Sequence, residues 1–524
     1  MEKIEIENKA TCLDGVFVKT SSPKFRKGVH WLLVNTFGID VEYADNILSK
    51  KFDDFVDHLK EDIVAYIEPV YVDKVYRDSY YTYYASKPVN ISKNCIRISF
   101  FEDNKDAIKE GEIDYGQYDY LKRCYRGFVV LRPTIVNVVG RNAISPEIVK
   151  KNGFKVCKTA IESTVGGCKF EVEAFPAASQ DSETMTCAET AVWSMMEYFG
   201  NRYPEYTPLL PSNILNILKQ TTPKRQLPSD GLTEDNLSYI AKSCGFGSQL
   251  YHRDCFPDFN NILSCYIESG IPVMVALSNQ QYRNDCDKVG IKPVDMEDYC
   301  GHAVMCIGHE DVSEKQIEDA LYQNVAGKVS IMDYDDIEKR FVFIDDNFPP
   351  YTMDSLSKPT ERYSKWFGKG LGWEHCQIDH FVAPLYRKVY LEPNVAKGYL
   401  KALLASGFMS HLHGKKITMR VFLCSTRSYR DYVNRSSMSV KMKRMLAMLT
   451  LPRFVWVAEL SNKEYLKKGI ATGIILLDAT ECMTLYHNAL LVSFSCGNVL
   501  YKEGQRLRSG TIVMNDFEIY NNLK

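Results

Sequence analysis

The segment Gln180-Asp-Ser-Glu-Thr-Met-Thr-Cys187-Ala-Glu-Thr-Ala-Val-Trp-Ser-Met-Met-Glu-Tyr-Phe-Gly200 places a thiol at the start of an apolar run, with an amide side chain seven positions ahead of it. The run predicts a helix. A cysteine in its first turn sits at the positive end of the helix dipole, beside N–H groups without intrahelical partners, which is the environment that activates a cysteine nucleophile. Trp193, Met195 and Met196 fall inside the run and suit its packed face rather than a substrate surface.

A nucleophilic thiol needs a base, and the base needs an orienting group. Downstream, Gly301-His302-Ala-Val-Met-Cys-Ile predicts a buried strand that opens with an imidazole. Phe341-Val-Phe-Ile-Asp345-Asp346-Asn347 predicts a second strand that ends in two acids. Side chains alternate along a strand, so one of Asp345 and Asp346 is expected to face His302, with Asp345 preferred. The oxyanion of acyl transfer would be met by the N–H of Cys187 and the side-chain amide of Gln180.

The order Cys187, His302, Asp345 or Asp346, with Gln180 ahead of the cysteine, resembles the papain-like cysteine peptidase superfamily. Within it the likeness is to the bacterial branch of double-glycine-leader (bacteriocin-processing) peptidases. Tyr198-Phe199-Gly200 is similar to that branch's helix ending. Glu268-Ser-Gly270-Ile-Pro272-Val-Met-Val-Ala-Leu277 resembles its helix, Gly-x-Pro turn and buried strand. The likeness covers residues 165–384. It implies Cys187 as nucleophile, His302 as base, Asp345 or Asp346 as orienting acid and Gln180 as oxyanion donor. The chain departs from the pattern twice. Gln180 and Cys187 are one residue further apart than is usual, so either the loop bulges or Gln180 is not the donor; and Thr186-Cys187-Ala188 replaces the family's common surroundings. Tyr125-Arg-Gly-Phe-Val-Val-Leu-Arg-Pro133 is similar to stretches of uncharacterised bacterial proteins with a comparable central domain.

With 524 residues the chain has room for about three domains. The expected class is α+β: a papain-like central domain at 161–384, flanked by α+β domains at 1–160 and 385–524. The N-terminal region predicts an acidic amphipathic helix over residues 40–59 and a strand over 95–101. Its Tyr80-Tyr81-Thr82-Tyr83-Tyr84 cluster suits a core or subunit contact better than a recognition surface. A hairpin is expected to pair residues 154–158 with 168–172 around Gly166-Gly167. Helices are expected over 233–242, 258–267 and 395–404, and strands over 454–458 and 474–478.

Composition narrows the classes. The chain is 45% hydrophobic and 25% charged with a net charge of −2, so no global field favours nucleic acid or membrane. The apolar runs fall short of the ~20 residues of a membrane helix, and the N-terminus lacks an apolar signal core, which predicts a cytoplasmic protein. Sixteen scattered cysteines without Cys-x-x-Cys pairs fit a reducing compartment. His375, Cys376 and His380 match no zinc spacing, and no phosphate-binding glycine loop is present, so neither metal nor nucleotide cofactor is expected. Between Lys415 and Arg444 nine basic residues stand against Asp431 alone, a segment open to an acidic partner or nucleic acid, or to a solvated helix face. The expected function is hydrolysis of a peptide or isopeptide bond in a protein or peptide substrate. Acyltransferase or transglutaminase chemistry, or binding on an inactive peptidase scaffold, stand as alternatives.

Overall fold

The structure is a computed structural model that describes residues 15–47, 51–134, 137–221, 225–288, 300–363, 372–481 and 484–523. Helices and strands are mixed, the α+β class. Three large sheets organise them.

The first sheet is antiparallel and runs in the order Val16–Lys19, Ile63–Tyr71, Cys95–Glu102, Tyr125–Leu131, Val139–Ile144, Cys168–Ala177, Thr159–Val165. Its third strand is buried at every position, including the polar Arg97, Ser99 and Glu102, because both faces are covered. One face packs on the helix Pro23–Phe37; the other carries a cluster of aromatics that includes Tyr66, Phe101, Tyr125 and Phe170. Gly166-Gly167 does make a hairpin turn, but Cys168–Ala177 pairs with Thr159–Val165. Residues Phe154–Val156 instead pair with Gly308, His309 and Glu310. The expected hairpin chose the wrong partner because two short β-rich runs precede the glycines and only the nearer one can close a tight turn. The expected 40–59 helix is two, Val41–Ile47 and Asp53–Asp57, with 48–50 outside the described residues.

The second sheet runs Thr352–Ser355, Arg340–Ile344, Gly301–Glu310, Val273–Ser278, Gln377–Ala383, Gln249–His252. The helix Cys187–Arg202 lies on this sheet and packs against the His302 strand. Trp193, Met195 and Met196 are buried in the core they share. The third sheet has eight strands, and only its contact between Val329–Asp333 and Lys416–Ser425 is parallel. Its inner face, with Val421, Trp456 and Ile475, joins the same core.

Hydrogen bonding therefore crosses the residue numbers at which domains were expected to meet: the first sheet continues to Ala177, and the third recruits Val329–Asp333. A buried ionic cluster adds to the junction of the second and third sheets. Arg420 bonds Glu268 at 2.6 Å and Glu459 at 2.8 Å, and His309 meets Glu268 at 2.8 Å. Arg420 thus leaves the basic segment, whose charges are less one-sided than the sequence implied: Arg430 donates to the carbonyls of Leu446 and Leu449, and Arg435 pairs with Asp431. In the tyrosine cluster Tyr84 is buried and Tyr81 is exposed. Among the described residues no helix is long and apolar enough to cross a membrane, and every cysteine is free.

Candidate active site

Cys187 is the first residue of its helix and is half-buried. The helix starts there because Thr186 and Glu189 form a capping box, the Glu189 carboxylate accepting from the Thr186 N–H at 3.1 Å. The Ser229 hydroxyl also donates to Glu189, so the segment after Pro228 lies against the same helix end. Burial pushes the Cys157 thiol up to about 12 and that of half-buried Cys244 to about 11, which disfavours the thiolate at both.

The seven-residue span from Gln180 to Cys187 is taken up by a closed loop. The Asp181 carboxylate accepts from the N–H groups of Glu183, Thr184 and Met185 at 3.0, 2.7 and 2.9 Å, and Asp181 N–H donates to Met185 O at 2.9 Å. Ser182 adopts a left-handed conformation, φ +60°, at the tip. Gln180 is half-buried, and its amide makes no hydrogen bond among the described residues.

His302, Asp345 and Asp346 meet in a dry pocket. His302 Nε2 lies 3.1 Å from Asp345 Oδ1 and 3.2 Å from Asp346 Oδ1, with side chains at most 4% exposed. The Asn347 amide is 3.4 Å from the same nitrogen. The expectation that only one acid could face His302 is corrected here. The strand ends at Ile344, so Asp345 and Asp346 stand in the following turn, where side-chain alternation no longer applies. The two acids still differ. Asp345 bonds His302, the Asn347 N–H at 3.0 Å, the Tyr363 hydroxyl at 2.7 Å and the Arg362 guanidinium. Among the described residues neither oxygen of Asp346 has a partner of hydrogen-bond geometry.

Electrostatics separates them in the same sense. Burial alone would raise the Asp345 carboxyl, but Arg362 and His302 overcome it and hold it well below the usual carboxylate range. Burial, with Asp345 beside it, pushes Asp346 up. His302 is lifted well above its ordinary value: burial opposes the charge, and Tyr363, Asp345 and Asp346 together outweigh burial. These shifts favour the charged forms of His302 and Asp345 and disfavour that of Asp346. These three side chains are also the one grouping of potential metal donors among the described residues. The Arg362 guanidinium already brings a positive charge to Asp345 there. By contrast His375 stacks on Tyr282, Cys376 contacts the Gly372 carbonyl and His380 packs on His252, so those three do not converge.

Among the described residues the polar contacts of His302 run through Nε2, which leaves Nδ1 for a thiol. Cys187 and His302 come from packed elements, yet the Cys187 sulfur makes no hydrogen bond to the ring. Four participants were not legible in the sequence. Trp373 stacks on Tyr363 at 4.7 Å and stands edge-on to His302 at 6.2 Å, while Arg362 and Tyr363 hold Asp345. Lys51, from before the first sheet's second strand, donates to Asn347 O at 2.9 Å. All act across long sequence separations and carry no local motif.

Set against known proteins, the chain matches no family model, and no curated protein is significantly similar to it.

Proposed function

We propose that the chain is a papain-like thiol hydrolase that cleaves a peptide or isopeptide bond through an acyl-enzyme on Cys187. The observation that carries this reading is the polarised His302–Asp345 pair, its Nδ1 unspent, on a strand packed against the helix that begins with Cys187. Cys187 attacks the acyl carbon as its thiolate, the His302 imidazolium gives its proton to the leaving amine and regains one from the water that hydrolyses the thioester, and Asp345 holds the ring. The Cys187 N–H and the Gln180 amide receive the oxyanion. Asp346, whose oxygens have no hydrogen-bond partner among the described residues, does not replace Asp345. The first and third sheets supply substrate selection, and the free cysteines fit a reducing, cytoplasmic setting.

The experiment compares wild type with Cys187→Ala in a cell lysate, with new peptide termini and released conjugates identified by mass spectrometry. Wild type is expected to generate products that the variant does not, and the variant to retain those substrates intact. Equal retention of the same intact partners by both proteins would replace this reading with a second one, binding on an inactive peptidase scaffold. That second reading draws on the absence of a thiol–imidazole hydrogen bond, although such bonds are often long before substrate arrives.

A further inference from the structure

The backbone on either side of Gln180 is anchored from outside the sheet that carries His302. Arg132, at the end of the first sheet's Tyr125–Leu131 strand, donates from Nη2 to Ser179 O at 2.6 Å. Its Nη1 lies 3.8 Å from the Asp181 carboxylate, with side-chain exposures of 5% and 0%. The residue before Gln180 and the residue after it are thus both tied to one guanidinium, while Gln180's own amide is uncommitted. The far side of the loop is held from the same unit. Thr184 Oγ1 donates to Ser79 Oγ at 3.0 Å, the Tyr83 hydroxyl reaches Glu183 at 3.4 Å, and Lys87 pairs with Glu183.

We propose that Arg132 is a positioning residue for the oxyanion hole: through Ser179 and Asp181 it sets the backbone that aims the Gln180 amide at the developing negative charge. The inference rests on the thiol-hydrolase reading and deepens it. An oxyanion donor is effective because its orientation is fixed before reaction. A free amide on a loop with a left-handed residue two positions on would otherwise sample many directions, and ordering it would consume binding energy. Arg132 supplies that order with a planar fork that engages a carbonyl and a carboxylate at once, which a lysine ammonium cannot reproduce in full. On this reading the first sheet is part of the catalytic apparatus, not only a substrate selector.

The alternative is that Arg132 merely neutralises Asp181. Two reagents at Cys187 separate these roles. With p-nitrophenyl acetate the thiolate adds to the ester carbonyl, an oxyanion forms, and its collapse breaks the C–O bond, expels p-nitrophenolate and leaves an acetyl thioester. With iodoacetamide the thiolate displaces iodide at a saturated carbon, and no oxyanion arises. The proteins, all full-length, are wild type, Gln180→Ala, Arg132→Lys and the double variant Arg132→Met with Asp181→Asn. The double variant removes both charges, so neither is buried unpaired, and asparagine keeps the side-chain oxygen that accepts from the Glu183, Thr184 and Met185 amides.

Alkylation of Cys187 is expected to stay within about twofold of wild type throughout. Acetylation should fall about 100-fold in Gln180→Ala, the typical effect of one lost oxyanion donor, and at least about tenfold in the double variant, with Arg132→Lys between the double variant and wild type. The inference is overturned if the double variant acetylates like wild type while Gln180→Ala does not, if Gln180→Ala itself is unaffected, or if alkylation and acetylation fall in parallel. Failure of wild type to acquire a Cys187-linked acetyl group while Cys187 is still alkylated would overturn the hydrolase reading beneath it, a distinct result.

Discussion

Two adjacent acids whose carboxyls are shifted in opposite directions are the sharpest feature at the scale of single residues. Asp345 has four partners and its carboxyl is held low; among the described residues Asp346 has none of hydrogen-bond geometry, and burial pushes its carboxyl up. Asp345→Ala should therefore lower kcat on the order of 10³-fold or more, as loss of a base-orienting carboxylate does, whereas Asp346→Ala should stay within about tenfold. Equal small losses would transfer the orienting role to Asn347. The pair also leaves a mark on stability. His302 is raised above its ordinary 6.5, so its contribution is complete below pH 6.5 and is lost as pH rises through the raised value. Asp345 is depressed below its ordinary 3.8, so its contribution is present above pH 3.8 and is lost as pH falls through the lowered value. Between those limits both contribute in full. The difference in urea midpoint between wild type and Asp345→Asn should be greatest in that window and shrink at alkaline pH; a difference that grows with pH would contradict the ion pair. Cys187, His302 and the Asp345–Asp346 pair were all legible as residues because each opens or ends an apolar run. Which acid works was not, since that depends on Arg362 and Tyr363, seventeen and eighteen positions further on.

At the scale of elements, local signals told true where a run was long and capped. The Cys187 helix is the clearest case, opened by Thr186 and Glu189 and buried along its length. Helices at Glu234–Ser243 and Phe259–Glu268 also lie within a residue of the segments expected. Pairing was harder to read. Phe154–Val156 joins Gly308, His309 and Glu310, about 150 positions away, because Gly308 leaves room for the Lys155 carbonyl. Gly127 does the same for the strand that leads to Arg132. It holds φ +115° beside a register shift, and a Cβ there would sit 1.8 Å from Ala143 O. Gly127→Ala should cost about 3 kcal/mol or more, from combined steric overlap and backbone strain. It should also lower the rate at which Cys187 is acetylated in the protein that remains folded, since the displaced strand carries Arg132. Chemical denaturation tests the first effect; a loss below about 1 kcal/mol would mean that the two strands separate without penalty.

Over the whole molecule, three sheets share burial and exchange strands, and charge is buried where the second and third meet. Burial pushes the Glu459 carboxyl up to about 7, with Arg420 opposing. Its folded value exceeds the ordinary 4.5, so the native state holds the extra proton and this group's influence on stability turns unfavourable as pH climbs from 4.5 toward 7. Glu459→Gln should flatten the fall in denaturant midpoint over that range; an unchanged slope would assign the fall to other groups. From the sequence by itself came the α+β class, the Cys187 helix, the strand that opens with His302, and the acids after Ile344, because periodicity, caps and chain order are local quantities. Tertiary structure alone decided that Gly166-Gly167 pairs the nearer run, that Arg420 is buried against Glu268 and Glu459, that Asp345 and not Asp346 is held by Arg362 and Tyr363, and that the first sheet grips the loop carrying Gln180. Each of those outcomes is set by desolvation and by partners remote in the chain, and neither quantity exists until the sheets have packed.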